Sequence, residues 1–133
     1  MEETHKLHGR AFRAGEPVCG DLEITLRWEE RVGPLPLEVS NREVLRDRSL
    51  RGPATVRFST RISRELQREL AALATAARDP NEGRRQRDAQ WAPKPVDIVL
   101  DTGYDLAGCR ISRPVEPMGA MSELEFGLHH EDL

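Results

Sequence analysis

The residues that metal or nucleophile chemistry would recruit lie mostly toward the two ends of this chain, and none falls in a recognised motif. His5 and His8 are near the start; His129 and His130 are near the finish, followed by Glu131 and Asp132. If the two ends met, these imidazoles and carboxylates could hold a metal. Adjacent histidines on a strand point to opposite faces, however, so His129 and His130 do not easily share one ion. Neither a CxxC nor an HExxH spacing occurs. Solvated terminal histidines without a metal are the expectation. Cys19 and Cys109 are the two cysteines. Nothing in the spacing brings a histidine to either thiol or lowers a thiol pKa, so a nucleophile–base pair is not expected. A domain of this size in a reducing compartment needs no disulfide, and two buried thiols are the reading.

Asp101-Thr102-Gly103, preceded by Ile98-Val99-Leu100, is similar to the catalytic loop of aspartic proteases. That chemistry needs two carboxylates sharing a proton, from a dimer or a second copy of the loop. The protease loop continues with Ser or Ala, whereas Tyr104 follows here. A turn between two strands requires Asp and Gly for backbone reasons alone, and a turn is expected. A nucleophile elbow, a P-loop and a dinucleotide fingerprint are all missing. The chain therefore reads as a non-enzyme without a cofactor. What remains is the stretch 79–95, with Arg84, Arg85, Arg87 and Trp91. Arginines grip phosphates and tryptophan stacks on bases, but Asp79, Glu82 and Asp88 dilute the charge. These four residues are candidates for an interaction, with a protein expected ahead of a nucleic acid.

The elements that position them follow from hydrophobic period. In Leu22-Glu23-Ile24-Thr25-Leu26-Arg27-Trp28 every second residue is apolar, which places Leu22, Ile24, Leu26 and Trp28 on the core face of a strand. Leu35 to Val39 repeats the pattern briefly, with Pro36 marking an edge or a strand start. Thr55 to Thr60 buries Val56 and Phe58 and exposes Thr55, Arg57 and Ser59. Ile62, Leu66, Leu70, Leu73 and Ala77 recur at helical spacing and predict one amphipathic helix over 62–78. Thr60 or Ser63 caps it, and Arg61 and Glu65 can pair on its wet side. The residues from 79 to 95 read as a long polar loop. Strands resume with Val96, Ile98 and Leu100, then Ala107, Cys109 and Ile111, then Leu124, Phe126 and Leu128. Such alternation builds antiparallel sheets wetted on one face. The fold class is mainly β (α+β): a small antiparallel β-sandwich or barrel of about six strands with one amphipathic helix.

Composition sets the frame. The chain has 133 residues, 38% hydrophobic and 32% charged, the balance of one globular domain and too apolar for wholesale disorder. A net charge of −3 exerts no global pull toward nucleic acid or anionic membrane. Neither a signal-like nor a bilayer-spanning apolar run is present, so residues 1–133 are expected to form a single domain in a cytoplasm. Basic character is almost wholly arginine, with Lys6 and Lys94 the exceptions, which suggests a GC-rich bacterial or phage source.

One further pattern spans the C-terminal third. Asp97-Ile98-Val99-Leu100-Asp101 is followed by Ala107 to Ser112, Pro114-Val115 and Pro117-Met118-Gly119-Ala120. Glu123-Leu124-Glu125-Phe126 and His130-Glu131-Asp132-Leu133 complete it. This order of strand, acidic turn, short strand, Pro-Val step and Glu-Leu strand resembles the end of the phage-like contractile-tail tube family. The resemblance implies a hexameric ring stacked into a hollow tube, without a catalyst. The expected function is thus a structural subunit of a phage-like or tail-tube-like assembly, bacterial or virion-associated, with itself as partner through β edges and loops. One alternative is a small regulatory or adaptor domain docking another protein through 79–95 or an edge strand. A further alternative is a nucleic-acid module using the loop arginines.

Overall fold

The computed structural model describes residues 2–29, 54–59, 61–114, 125–131 and 133, with side chains from Thr4 to Leu26 in the first segment. Two antiparallel hairpins and two single strands close on one another. Strands β1 (Glu2–Arg13), β2 (Glu16–Glu29) and β3 (Ala54–Phe58) lead into helices α1 (Arg64–Arg78) and α2 (Pro80–Asp88). Strands β4 (Val96–Leu100), β5 (Asp105–Pro114) and β6 (Glu125–His129) follow. The six strands form a closed antiparallel barrel in the order β1-β2-β3-β6-β5-β4. Closure is how a small all-antiparallel sheet removes its sticky edges.

Alternation does most of the building. Leu22, Ile24 and Leu26 on β2 face the interior, as do Val56 and Phe58 on β3 and Val96, Ile98 and Leu100 on β4. Phe126 and Leu128 of β6 complete the wall, and the Phe58 and Phe126 rings tilt against each other at 6.5 Å. Side chains therefore fill the barrel, as its small strand number requires. On β1 the inward positions are Leu7, Gly9 and Ala11. Gly9 is obligatory there, because a Cβ would stand 2.5 Å from the carbonyl oxygen of Val99. Hairpin β1–β2 turns through Ala14 (φ 48°) and Gly15 (φ 80°), both left-handed as a two-residue turn between twisted strands demands.

Helix α1 starts where Ser63 Oγ accepts from the Leu66 N–H at 3.2 Å, the capping role foreseen for it. The preceding residues are stitched to β2: Ser63 N donates to the Val18 carbonyl at 2.8 Å and Ile62 bridges Cys19. Leu66, Leu70 and Leu73 then join the same core as the strands, so α1 lays its apolar stripe on the barrel.

Several expectations need correction. Residues 79–95 are not one long loop, since α2 occupies 80–88. Asp79 ends α1 and caps α2, its carboxylate accepting from the Asn81 N–H at 3.0 Å, with Pro80 as the first helical residue. Thr55 is buried, its hydroxyl bonded to Glu125 Oε1 at 2.6 Å across β6. On β5 the inward residues are Leu106, Cys109 and Ile111, and Ala107 is exposed. Gly108 (φ 72°) accompanies a register shift against β4 that moves the alternation by one residue. Residues 2–13 and 16–21, not anticipated as strand, are the bulk of the β1–β2 hairpin. The Trp28 side chain, the 35–39 segment, Leu124 and the link 115–120 lie outside the described residues. Among the described residues no helix is long and apolar enough to cross a membrane.

Candidate functional site

The residues first suspected of chemistry are separated by the barrel. His5 and His8 belong to β1 and His129 to β6. In the strand order these two strands stand three neighbours apart whichever way round one counts, so the two histidine groups cannot converge on one ion. Nor are these residues loose ends. His8 Nε2 lies 3.8 Å from Glu23, His129 Nε2 lies 3.1 Å from Ser112 Oγ, and His130 Nε2 lies 3.0 Å from the Ala107 carbonyl. Among the described residues no group of three His, Cys, Asp or Glu side chains is placed to hold a metal.

Both thiols are free and buried. Burial, assisted by the Asp97 carboxylate, pushes the Cys109 thiol up to about 12, so it stays protonated and unreactive at neutral pH. Cys19 Sγ donates to the Asp21 carbonyl at 2.9 Å. The Asp101-Thr102-Gly103 triplet is the β4–β5 turn: Gly103 has φ 84° and its N–H returns to the Leu100 carbonyl at 2.8 Å.

Arg84, Arg85 and Arg87 lie exposed on α2, and Trp91 follows it. Arg85 pairs with Glu82 at 3.6 Å, while Arg84 and Arg87 make no ion pair among the described residues. The end of α2 explains where Trp91 sits. Gln90 turns left-handed (φ 53°), its N–H bonds to the Arg87 carbonyl at 3.0 Å, and the Trp91 N–H bonds to the Gln86 carbonyl at 2.9 Å. This pair of bonds is a Schellman closure. It folds the indole back over a groove of about 430 Å³ between the helices, lined by Glu65, Arg68, Glu69, Ala72, Glu82, Gln86 and Trp91. Trp91 stays 37% exposed, the one large exposed hydrophobic among the described residues. The two helices touch closely: a Cβ on Gly83 would stand 3.0 Å from the Ala76 carbonyl oxygen, and Gln86 Nε2 donates to the Ala72 carbonyl at 3.0 Å.

Beneath the groove lies a cluster that sequence reasoning missed. Arg13, at the end of β1, donates to Glu69 Oε2 at 2.5 Å, to the Lys94 carbonyl at 2.8 Å and to the Pro95 carbonyl at 3.3 Å. Glu69 Oε1 accepts the Lys94 N–H at 3.0 Å. The expected Arg61–Glu65 pair gives way to contacts of Glu65 with Arg13 at 3.8 Å and Lys94 at 3.7 Å. This network ties the β1–β2 turn, α1 and the approach to β4 together. It also engages Glu65 and Glu69, two of the three carboxylates that line the groove.

A second surface lies at the far end of the hairpin. β1 pairs with β2 in continuous register from Glu2↔Glu29 to Gly9↔Leu22, but with β4 only from Gly9 to Phe12. The Asp101 N–H adds one bond to the His8 carbonyl at 2.9 Å. On the β4 side, the backbone groups of Glu2, Thr4 and Lys6 meet no strand among the described residues. Among the described residues the hairpin thus runs past the closed part of the barrel, with one side of β1 as a sheet edge.

Fold and surfaces define a capped, side-chain-filled antiparallel barrel with a projecting hairpin and an aromatic groove between its two helices. No protein-family model, curated protein or solved structure matches the chain.

Proposed function

We propose that this protein is a non-catalytic structural subunit of a self-associating, phage-like assembly, tube-like by the resemblance of its C-terminal third. The observation that carries self-association is the open side of β1. A barrel that closes elsewhere leaves a run of strand backbone extending past its neighbour, and such an edge is a template for another strand. The segment that resembles the tube family supplies β4, β5 and β6, one half of the wall. Light scattering across a wide concentration range, with negative-stain microscopy at the upper end, tests the reading. Mass rising with concentration, with rings or polymers on the grid, supports it. A strict monomer throughout overturns it.

A second reading, an adaptor that docks a different protein in the α1–α2 groove, is favoured by the exposed Trp91. It expects a monomer whose Trp91 emission, isolated by Trp28→Phe, is quenched equally by acrylamide at every concentration. The arginines of α2 alone support the nucleic-acid alternative, and its salt-dependent binding is directly measurable.

A further inference from the structure

We infer that two copies of this chain join edge to edge through β1, antiparallel about a two-fold axis at Thr4. This deepens the self-association proposed above and rests on it. The backbone sets the first condition. His8 turns its carbonyl to the β4 side, where it accepts the Asp101 N–H. In a regular antiparallel strand, alternate residues direct both N–H and C=O to the same side, and the register of β1 on β2 is unbroken from Glu2 to Gly9. Glu2, Thr4 and Lys6 therefore present their backbone groups where β4 has ended. A second β1 can bond to this edge only if its own even-numbered residues face it.

Charge sets the register. With Thr4 opposite Thr4 of the second copy, Glu2 stands opposite Lys6, Lys6 opposite Glu2, and Glu3 opposite His5. Unlike charges and paired threonines are favourable cross-strand neighbours. A shift of one residue toward the start of the strand sets Glu3 against Glu3. A shift the other way sets His5 against His5 and leaves Lys6 facing Thr4. Only the Thr4-centred register opposes each charged end with its complement. The Lys6 side chain is 60% exposed and lies 3.7 Å from Glu23 of its own chain. The contact is isologous: it closes on itself, and β2-β1-β1-β2 becomes one continuous sheet across the pair.

Three variants in the full chain test this. Thr4→Pro removes an N–H that the barrel's own ladder does not use, and Lys6→Glu sets two like-charged pairs across the axis. Each should weaken dimerisation about tenfold or more in sedimentation equilibrium, with the far-UV circular dichroism spectrum of the folded chain unchanged. The exchange Glu2→Lys with Lys6→Glu should restore most of it. Thr4→Cys adds a readout of register, since residues directly opposite in a bonded pair lie about 5.5 Å apart, within disulfide reach. Mild oxidation should yield a covalent dimer, with Arg10→Cys, an exposed position on the part of β1 that β4 covers, as the uncrosslinked control. Association that ignores all three changes, or Thr4→Cys crosslinking no faster than Arg10→Cys, overturns the β1 contact and leaves the structural-subunit reading standing. A wild-type chain that is monomeric at every concentration overturns both.

Discussion

Removing the Arg13 side chain should cost about 3 kcal/mol of folding stability. The guanidinium joins Glu69 and two backbone carbonyls at 2.5, 2.8 and 3.3 Å. Its side chain is 12% exposed and that of Glu69 is 13% exposed, so water screens the pair only partly. A hydrogen bond to a charged group contributes about 1.5–3 kcal/mol net, and stranding one member of a largely buried pair costs about 3–5 kcal/mol. Some water reaches the rim of the groove, which places Arg13→Ala at the lower end. Glu69→Gln keeps an acceptor for the Lys94 N–H and should lose about half as much. In Arg13→Ala/Glu69→Ala neither charge is orphaned, so the double variant should be more stable than the sum of its parts by about 1.5–3 kcal/mol. Urea denaturation followed by far-UV circular dichroism measures the parent, Arg13→Ala, Glu69→Gln, Glu69→Ala and the double variant. The deficit should persist in high salt, because partly buried pairs are weakly screened. An Arg13→Ala loss under about 1 kcal/mol, or an additive double variant, would refute the reasoning from burial to coupling.

Three further expectations follow from backbone and thiol chemistry. Gln90→Gly should raise the urea midpoint by the equivalent of about 1 kcal/mol, because a side chain at a left-handed helix end carries a penalty that glycine lacks; an unchanged or lower midpoint counts against the Schellman closure. Gly9→Ala should destabilise by about 1–3 kcal/mol or prevent folding, since its Cβ meets the Val99 carbonyl oxygen, a backbone atom, at 2.5 Å; a neutral outcome would mean that β1 and β4 are not so close. Cys109 should resist thiol reagents until the chain unfolds, and its thiolate forms more readily in the unfolded state. Because its folded pKa is raised from 9.0 to about 12, its contribution is intact below pH 9 and fades as pH climbs toward 12. Stability measured across that window should fall less steeply in Cys109→Ala, relative to that variant's own neutral value, than in the parent.

The parts of the fold legible in the sequence are those where large apolar side chains mark the inward positions. Leu22, Ile24 and Leu26, then Val96, Ile98 and Leu100, announce their strands, and Leu66, Leu70 and Leu73 announce α1. β1 gave no such signal because its buried positions past Leu7 are Gly9 and Ala11, small where the barrel wall draws close to β4. α2 was missed for a related reason. The only buried residue in Pro80–Asp88 is Gly83, so its contact with α1 rests on the lack of a side chain and leaves no apolar stripe. The cue available was Asp79-Pro80, read as a stop for one helix when it also starts the next. At the helical surface, sequence singled out Trp91 and the arginines, and the structure brings Trp91, but none of Arg84, Arg85 and Arg87, into the groove lining. Arg13 and Glu69 are too distant along the chain for any spacing rule to join them. The β1 edge depends on β4 being shorter than its neighbour, a property of pairing that composition does not record.

The order in which the wall closes has a kinetic consequence. The β1–β2 and β4–β5 pairs are hairpins with short turns, and isolated hairpins form in about 1–10 μs. The two seams are different: Gly9 must find Leu100, and Ala54 must find Leu128. Each search spans most of the polypeptide and incurs its loop entropy before any bond offsets it, so the barrier to the native state sits there, in the milliseconds-to-seconds range of non-local β topologies. Until the seams shut, Leu7, Val56 and Phe126 line an open trough. The interval in which this protein is most exposed to misassembly is therefore set by how fast those two seams zip.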